Sequence, residues 1–190
     1  MTQNLKLPIK TNRLILRPPK LNEAKTINDE IQKIWPQLQE WMSWATPDQK
    51  ELAATEKFVE GAQSPSIENG VMLSGFCKQT GEFIFSGGLH SVKGKPNEYS
   101  TGYWVAHKFQ GKGYATEATI ETIKYAFSIL SAQTIHISYF DTNEKSKHII
   151  ERLGFEYTHT EKNALKCHLD GRMMDEHCYI MRSLSKLNTD

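Results

Sequence analysis

The sequence has few cysteines, and none of them has the spacing of a zinc site. Cys77, Cys167 and Cys178 are the three cysteines of the 190-residue chain, and they are odd in number and widely scattered. This usage argues against a disulfide framework and a cysteine-based metal site, so we predict no metal. Reduced thiols are typical of a cytoplasmic protein, which is the location that we expect.

The sequence also lacks a large net charge and a long apolar run. Its 23 lysines and arginines nearly balance its 22 aspartates and glutamates. This balance argues against binding to nucleic acid or to a membrane surface. Residues 1–20 contain no continuous apolar segment, and no stretch is long and apolar enough to span a bilayer. We therefore expect no signal peptide, no membrane partner and no nucleic-acid partner.

Internal repeats and low-complexity segments are absent as well, and the length favours one domain over residues 1–190. The apolar patterns predict a mixed α/β sheet fold with the order β-α-α-β-β-β-α-β-α-β-β. Three consecutive strands joined by tight turns exclude a doubly wound nucleotide fold. The predicted strands are 13–17, 71–78, 82–90, 99–105, 134–140, 155–160 and 173–183, and the helices are 21–36, 47–63, 114–130 and 143–153.

A glycine-rich turn joins a predicted strand to a predicted helix near the middle of the chain. Gly111 and Gly113 follow the strand 99–105 and precede the helix that begins at Tyr114. Free amides at such a turn, with the positive end of the helix dipole, form an anion site whose usual ligand is phosphate. The Walker spacing is absent, and Thr116 occupies the third glycine position of the dinucleotide fingerprint. A glycine turn without a ligand is the alternative.

The spacing Gln110-x-x-Gly113-x-Ala115 resembles the acyl-CoA pyrophosphate loop of the GNAT acetyltransferase superfamily. Further stretches resemble the RimJ/RimL type, which acetylates N-terminal amines of ribosomal proteins and has relatives with other acceptors. The resemblance covers nearly the whole chain and implies a single-domain GNAT fold that uses acetyl-CoA as co-substrate. The matching stretches are Thr11–Arg17, Gly102–Val105, Asn143-x-x-Ser146 and Glu151–Phe155.

The same resemblance implies which residues bind the cofactor. The backbone of Trp104 and Val105 would pair with the pantetheine arm, and Asn143 would bind a pantetheine amide. Ser146 would lie near the thioester sulfur and protonate the departing thiolate. The alternatives are that Asn143 is only a helix N-cap and Ser146 an ordinary first-turn serine. The amides expected to hold the pyrophosphate belong to Gly111, Lys112, Gly113, Tyr114 and Ala115, with Gln110 bracing them.

The residue that accepts the proton of the amine is not evident. Relatives carry a glutamate at positions that read Ser100 and Cys167 here. Freeing an α-amine of pKa ~8 at pH 7 costs about 1 kcal/mol, whereas a lysine of pKa ~10.4 costs about 4.6 kcal/mol. The missing base therefore favours a protein N-terminal α-amine, or another amine of low pKa, over a protein lysine. The remaining candidates for the base are Glu98, His90, Tyr103 and His168.

The resemblance also implies an acceptor site between the first two helices and the last hairpin. Trp41 and Trp44 fall in a connection at that place, and with Tyr103 they are the predicted substrate contacts. The alternative is that the two indoles are core anchors. The loop 166–177 carries charges of both signs and is a candidate contact for a peptide or for a second copy in a homodimer. A non-catalytic CoA-binding module and an acetyltransferase for small-molecule amines are the alternative functions.

Overall fold

The computed structural model describes residues 5–66, 68 and 70–189, and an eight-stranded sheet forms its centre. The strands lie in the order β1-β2-β3-β4-β5-β6-β8-β7. Hydrogen-bonded neighbours run antiparallel, except that β5 and β6 are parallel. The strands are β1 (Ile9–Lys10), β2 (Leu14–Arg17), β3 (Val71–Cys77), β4 (Phe83–Ser91), β5 (Glu98–Val105), β6 (Thr134–Phe140), β7 (Glu156–Lys166) and β8 (Met173–Met181).

Five helices in the described residues cover the two faces of this sheet. Residues of α4 and α5 contribute to the larger apolar core, and residues of α1, α2 and α3 contribute to a separate second core. We call the two sides of the sheet the α4–α5 face and the α1–α3 face. No helix in this part of the chain has the length and apolarity that a bilayer span requires. The helices are α1 (Ala24–Lys33), α2 (Trp35–Trp41), α3 (Leu52–Gly61), α4 (Tyr114–Ser128) and α5 (Glu144–Arg152).

The order of the predicted elements is confirmed, with two short additions. One is β1, and the other is α2, which occupies part of the segment that we expected to be a connection. Pro36 lies in the first turn of α2. A proline is tolerated there because the amide that it lacks would have no partner within the helix. Pro36 therefore marks the start of a second helix as well as the end of the first.

The prediction for the segment after Thr46 is wrong in detail. Pro47–Lys50 forms a 3₁₀ turn, and α3 begins only at Leu52. The Thr46 hydroxyl donates to the Asp48 carboxylate at 2.7 Å and does not cap a helix. Phe58 of α3 has 38% of its surface exposed. The inward face of this segment carries Thr55, Val59 and Ala62.

Strand β7 continues six residues beyond its predicted end at Thr160. It lies at the edge of the sheet, and most of its side chains are exposed. An edge strand of this kind lacks the apolar alternation from which strands are predicted. The hairpin loop is consequently shorter than expected, because it covers only residues 167–172.

The two central strands separate soon after they meet. β5 pairs with β6 only through Glu98–Ser100 and Thr134–His136. Beyond this point β5 stays paired with β4 as far as Val105, and β6 stays paired with β8 as far as Phe140. Residues 101–105 and 137–140 therefore face each other across a gap. The β4–β5 register is continuous over this stretch, so the gap forms without a bulge in β5.

Gly154, which ends α5, provides a test of this packing. Its φ is +86°, and a Cβ there would lie 2.3 Å from the carbonyl oxygen of Lys186. Gly154→Ala should lower the free energy of unfolding by about 2 kcal/mol or more, because a backbone clash adds to the cost of positive φ. Gly81→Ala is the matched control, since Gly81 has a φ of +72° and open space around it. The control should cost about 1 kcal/mol. Urea denaturation measures both, and equal losses would contradict a rigid contact at Lys186.

Candidate active site

A cleft of about 920 Å³ opens where β5 and β6 separate. Both strand edges line it, together with the turn before α4, the start of α5 and the end of α2. The cleft collects all of the predicted site residues except Lys112. These residues are Trp41, Trp44, Tyr103, Trp104, Val105, Gln110, Gly111, Gly113, Tyr114, Ala115, Asn143 and Ser146.

The backbone of β5 turns hydrogen-bonding groups into the gap. The Ala106 amide donates to the Ile84 carbonyl at 2.9 Å, so the residues in phase with Ala106 bond to β4. The alternate residues Tyr103 and Val105 therefore point their backbone groups towards β6, from which β5 has separated. The Val105 carbonyl accepts from Gln110, whereas the Val105 amide and both backbone groups of Tyr103 face the gap. Buried backbone groups without partners are costly, and an extended ligand lying between the strands would satisfy them.

The glycine turn (residues 111–113) leaves a second set of amides free. Gly111 and Gly113 have φ values of +71° and +77°, a region that glycine enters without strain. The first helical bond of α4 runs from the Glu117 amide to the Gly113 carbonyl at 3.0 Å. The amides of residues 111–116 have no hydrogen-bond acceptor among the described residues. With the helix dipole behind them, these amides favour an anion at the cleft wall.

Lys112 takes part in this turn through its backbone rather than its side chain. Its side chain is exposed and does not line the cleft. Its carbonyl accepts a hydrogen bond from Arg13 Nη1 at 3.0 Å. The structure therefore places the Lys112 ammonium outside the cleft, whereas its amide remains one of the free donors.

Gln110 braces the turn from the side. Its Nε2 donates to the Val105 carbonyl at 3.1 Å and to Gln37 Oε1 at 2.9 Å. One side chain thus connects the glycine turn to the end of β5 and to α2. These contacts are the ones expected of a bracing residue.

An ion pair that we did not anticipate fixes the other side of the turn. Glu117 accepts from the Arg13 amide and from Arg13 Nε, both at 2.6 Å, and also from the Thr11 hydroxyl. The Arg13 guanidinium lies 3.9 Å from the centre of the Tyr114 ring. Burial raises the pKa of Glu117, but the hydrogen bonds and the Arg13 charge outweigh burial and hold this pKa below its usual value. The contact joins the start of β2 to the first turn of α4.

Asn143 and Ser146 lie at the start of α5. Asn143 is the N-cap, and its Oδ1 accepts from the Ser146 amide at 3.2 Å. The N-cap interpretation is therefore confirmed. It uses only the oxygen of the side chain, because Asn143 Nδ2 has no hydrogen bond within the described residues. Both residues line the cleft, so a capping role and a ligand-binding role are compatible.

Tyr103 places a buried hydroxyl next to Ser146. The Tyr103 hydroxyl forms no hydrogen bond of ordinary geometry in the described part of the chain. Burial raises the pKa of Tyr103 to about 12, against the opposing effect of the adjacent Ser146 hydroxyl. The phenol consequently keeps its proton at neutral pH, so it can donate a proton but is unsuited to act as a base.

The other three candidates for the base lie outside the cleft. Glu98 Oε2 contacts His136 Nε2 at 2.6 Å where β5 and β6 are still paired. His168 Nε2 contacts the Ser43 carbonyl at 3.0 Å, and His90 is exposed on β4. The structure therefore brings only Tyr103, among the predicted candidates, to the cleft.

Sequence reasoning missed a carboxylate that does line the cleft. Glu176 lies on β8 opposite Phe140 of β6, and the Ser138 hydroxyl donates to Glu176 Oε1. No motif marks Glu176, because only the register between β6 and β8 brings it to the cleft. The alternation of β8 alone shows that Glu176 and Cys178 share a face, but it does not show which face.

The mouth of the cleft lies between α2 and the last hairpin. Trp41 Nε1 donates to the Thr142 hydroxyl at 3.3 Å, and Arg172 Nη2 donates to Glu40 Oε1 at 2.8 Å. Trp44 has 38% of its surface exposed, so it is not a core anchor. Trp35, at 7% exposed, has that role in this segment. The contact from Arg172 shows that the hairpin loop packs against α2 of its own chain.

Three potential metal donors approach one another away from the mouth. Donor atoms of His159, Glu161 and Cys178 lie within 4.8 Å of each other on β7 and β8. Burial and the charges of Glu176 and Glu161 raise the pKa of Cys178 to about 11, which disfavours the thiolate that a metal would need. His159 and Glu161 are exposed. The absence of a metal stays a prediction.

A mixed sheet whose central strands part beside a glycine turn at a helix start is the architecture that the resemblance to acetyltransferases implies. The chain belongs to the GNAT acetyltransferase family, because the family model described as the acetyltransferase (GNAT) domain matches residues 13–156. The chain is accordingly an N-acetyltransferase of the GNAT type, which confirms the predicted family and fold.

Relatives and solved structures agree with this assignment. YdaF of Bacillus subtilis, whose name proposes a ribosomal N-acetyltransferase, is 39% identical over 67 residues, which are 35% of this chain and 37% of that protein. YoaA of the same organism, an N-acetyltransferase by name, is 25% identical over 153 residues, 78% of this chain and 82% of YoaA. RimL, a ribosomal L7/L12 α-N-protein acetyltransferase solved with coenzyme A, has a TM-score of 0.81 at 19% identity, covering 94% of this chain and 99% of RimL. Mycobacterium smegmatis RimJ has a TM-score of 0.77 at 19% identity, covering 90% of this chain and 83% of RimJ.

The Glu117 ion pair gives a pH-dependent prediction. Because its pKa is lowered in the folded state, ionised Glu117 stabilises the fold above the unfolded pKa of about 4.3, and this stabilisation is lost as pH falls through the folded value. Glu117→Gln should lower the free energy of unfolding at pH 7 by about 2 kcal/mol. The difference from the wild type should shrink below pH 4.

The control for this ion pair is Glu121→Gln, one helical turn further along α4. Glu121 pairs with Lys124 at 2.7 Å within the helix, so its loss should change stability by less than about 0.5 kcal/mol. Thermal and urea unfolding across pH 3–8 measure both variants. A Glu117→Gln deficit that stays constant with pH would contradict the electrostatic origin of the effect.

Proposed function

We propose that the protein is an acetyl-CoA-dependent N-acetyltransferase that acetylates a primary amine, with a protein N-terminal α-amine as acceptor. The observation that carries this proposal is the gap between residues 101–105 and 137–140, which adjoins the free amides of residues 111–116. An extended amide-containing arm with a diphosphate at one end matches both features at once. Acetyl-CoA is a ligand of this shape.

The cofactor would bind largely through the protein backbone. The amides of residues 111–116 would receive the diphosphate, because they are free and lie at the positive end of α4. The pantetheine arm would add to the sheet beside β5, bonding to groups of Tyr103 and Val105 that face the gap. Asn143 Nδ2, which has no hydrogen-bond partner in the part of the chain that the structure describes, would bind a pantetheine carbonyl. A larger side chain at Gly113 would intrude on the diphosphate.

The reaction would be a direct attack of the amine on the thioester in a ternary complex. The amine nitrogen bonds to the acetyl carbon, and the carbon–sulfur bond breaks as coenzyme A leaves. The Val105 amide, which faces the gap, is the natural donor to the oxyanion. The hydroxyls of Ser146 and Tyr103 lie together on the α4–α5 side and can protonate the departing thiolate. Much of the rate would come from holding the two substrates together.

The acceptor would enter at the mouth between α2 and the last hairpin. Trp41 and Trp44 line the cleft there, and Trp44 is exposed enough to contact a ligand. The α-N-protein activity in the name of RimL and the ribosomal proposal in the name of YdaF support a protein N-terminus as the acceptor. The test must distinguish this acceptor from two alternatives. One is a small-molecule amine as the acceptor, and the other is a protein that binds CoA without turnover.

The test measures thiol release from acetyl-CoA with a panel of acceptors. The panel contains short peptides with a free N-terminal serine, alanine or methionine, an N-terminally blocked peptide with one lysine, and small amines. Turnover on the free N-termini supports the proposal. Turnover confined to small amines would show that the acceptor is a small molecule and not a protein N-terminus. Tight CoA binding with no thiol release on any acceptor would favour the module.

Gly113→Glu should abolish CoA binding, because the new carboxylate would occupy the diphosphate site. The backbone at Gly113 has a φ of +77°, so the substitution also carries the cost of a positive φ. Gly94→Glu is the matched control, since Gly94 has a φ of +76° in a turn with open space around it. Calorimetry with coenzyme A measures both variants. Retention of wild-type affinity by Gly113→Glu would show that the diphosphate lies elsewhere.

Ser146→Ala tests the proton donor. We expect kcat to fall about 10- to 100-fold, since general acid catalysis is worth at least this much and Tyr103 remains to donate in part. The affinity for CoA should stay within a factor of two of the wild-type value. Steady-state kinetics with the best peptide of the panel and CoA calorimetry separate these effects. An unchanged kcat would remove Ser146 from the mechanism.

A further inference from the structure

The two sides of the gap differ in the kind of acid–base group that they present. On the α4–α5 side lie the hydroxyls of Tyr103 and Ser146, and the pKa of Tyr103 is raised to about 12, so that side is a proton donor. On the α1–α3 side lie Ser138 and Glu176, and the serine hydroxyl donates to the carboxylate. All four residues line the same cleft.

Strand register assigns Glu176 to the α1–α3 side. Tyr139 is buried in the larger core with residues of α4 and α5, so its neighbours Ser138 and Phe140 point the opposite way. Residues directly opposite each other on paired strands share a face, and Glu176 is opposite Phe140. Side chains alternate along β5 as well, and Tyr103 points to the α4–α5 side. Trp104, the next residue, therefore points to the α1–α3 side.

Glu176 is a half-buried carboxylate in the middle of β8. It forms no ion pair with any residue in the described part of the chain, and the Ser138 hydroxyl is its side-chain hydrogen-bond partner. Its negative charge contributes to the raised pKa of the neighbouring Cys178 thiol. Acidic side chains are mostly exposed and are rarely buried unless they are paired, whereas Glu176 is half-buried and lines the cleft.

We infer that Glu176 is the general base that accepts the proton of the acceptor amine, with Ser138 as its positioning residue. This inference rests on the proposed acetyltransferase function. The acetyl carbon, held in the gap, would be approached by the amine from the α1–α3 side, while the sulfur leaves towards Tyr103 and Ser146. Relatives carry a glutamate two residues before the position of Gly102, where this chain has Ser100. Ser100 also lies on the α1–α3 side of β5, so in this chain β8 supplies a base on the side from which β5 supplies it in those relatives.

The proton balance of the step is complete. Glu176 takes one proton from the bound ammonium and releases it to solvent, and the free amine nitrogen then bonds to the acetyl carbon. The carbon–sulfur bond breaks, and the thiolate takes a proton from the Ser146 or Tyr103 hydroxyl. The second proton lost by the nitrogen returns through solvent to that hydroxyl, which regenerates the enzyme.

Glu176→Gln tests the base, and Glu161→Gln is the matched control. Glu161 lies directly opposite Glu176 on β7, but it is exposed and does not line the cleft. With the best peptide of the panel, kcat of Glu176→Gln should fall about 100-fold at pH 7, because general base catalysis is worth at least this much. CoA affinity should be unchanged in both variants, and Glu161→Gln should keep at least half of the wild-type kcat.

The pH profile distinguishes a base from a structural residue. Glu176→Gln depends on amine that is already free in solution, so its rate should rise tenfold per pH unit up to the amine pKa of about 8. The wild-type rate should depend less steeply on pH, so the deficit of the variant is greatest at low pH. Ser138→Ala should give a smaller loss in kcat with CoA affinity kept.

The outcomes separate this inference from the proposed function. If Glu176→Gln turned over as fast as the wild type at every pH, Glu176 would not be the base. The proposed acetyltransferase function would stand. An equal loss at all pH values would also overturn it, because that pattern indicates misplacement of the cleft wall. Absence of wild-type turnover despite CoA binding would overturn both.

Discussion

The parallel pairing of β5 and β6 stops after three residues, and the function proposed for the molecule depends on that interruption. A continuous ladder would satisfy the backbone of both strands and leave no room for a ligand. With the strands apart, the backbone groups of Tyr103 and the amide of Val105 face a gap inside an otherwise complete sheet. The outer pairings with β4 and β8 keep both edges extended and in place.

The elements around this gap fix its two ends. The glycine turn at one end is clamped between Gln110, which contacts β5 and α2, and Glu117, which binds Arg13 at the start of β2. At the other end, Arg172 joins the last hairpin to Glu40 of α2 and so fixes the two sides of the mouth relative to each other. A site assembled mostly from backbone needs such clamps, because its donors have no side-chain freedom with which to adapt.

The parts of the site that sequence reasoning found are those encoded by local spacing. The glycine turn, the pair Asn143 and Ser146, and the strand before the turn each lie within a few consecutive residues, and the structure brings them together. Glu176 could not be found in this way, since its place depends on the register of β6 with β8. The presence of Glu176 in the cleft also weakens the argument that a missing base favours an α-amine. The choice of an N-terminal acceptor therefore rests on the names of the relatives, and the acceptor panel tests it. Helix α2 was missed because proline at its first turn resembles a helix end.

The most direct test of the central claim is a crystal structure of the protein with coenzyme A. The account predicts density for the diphosphate on the amides of residues 111–116 and for the pantetheine arm between residues 101–105 and 137–140. The arm should form strand-like hydrogen bonds to Tyr103 and Val105 of β5. Coenzyme A bound elsewhere, or a gap closed by a continuous β5–β6 ladder in the complex, would contradict the account.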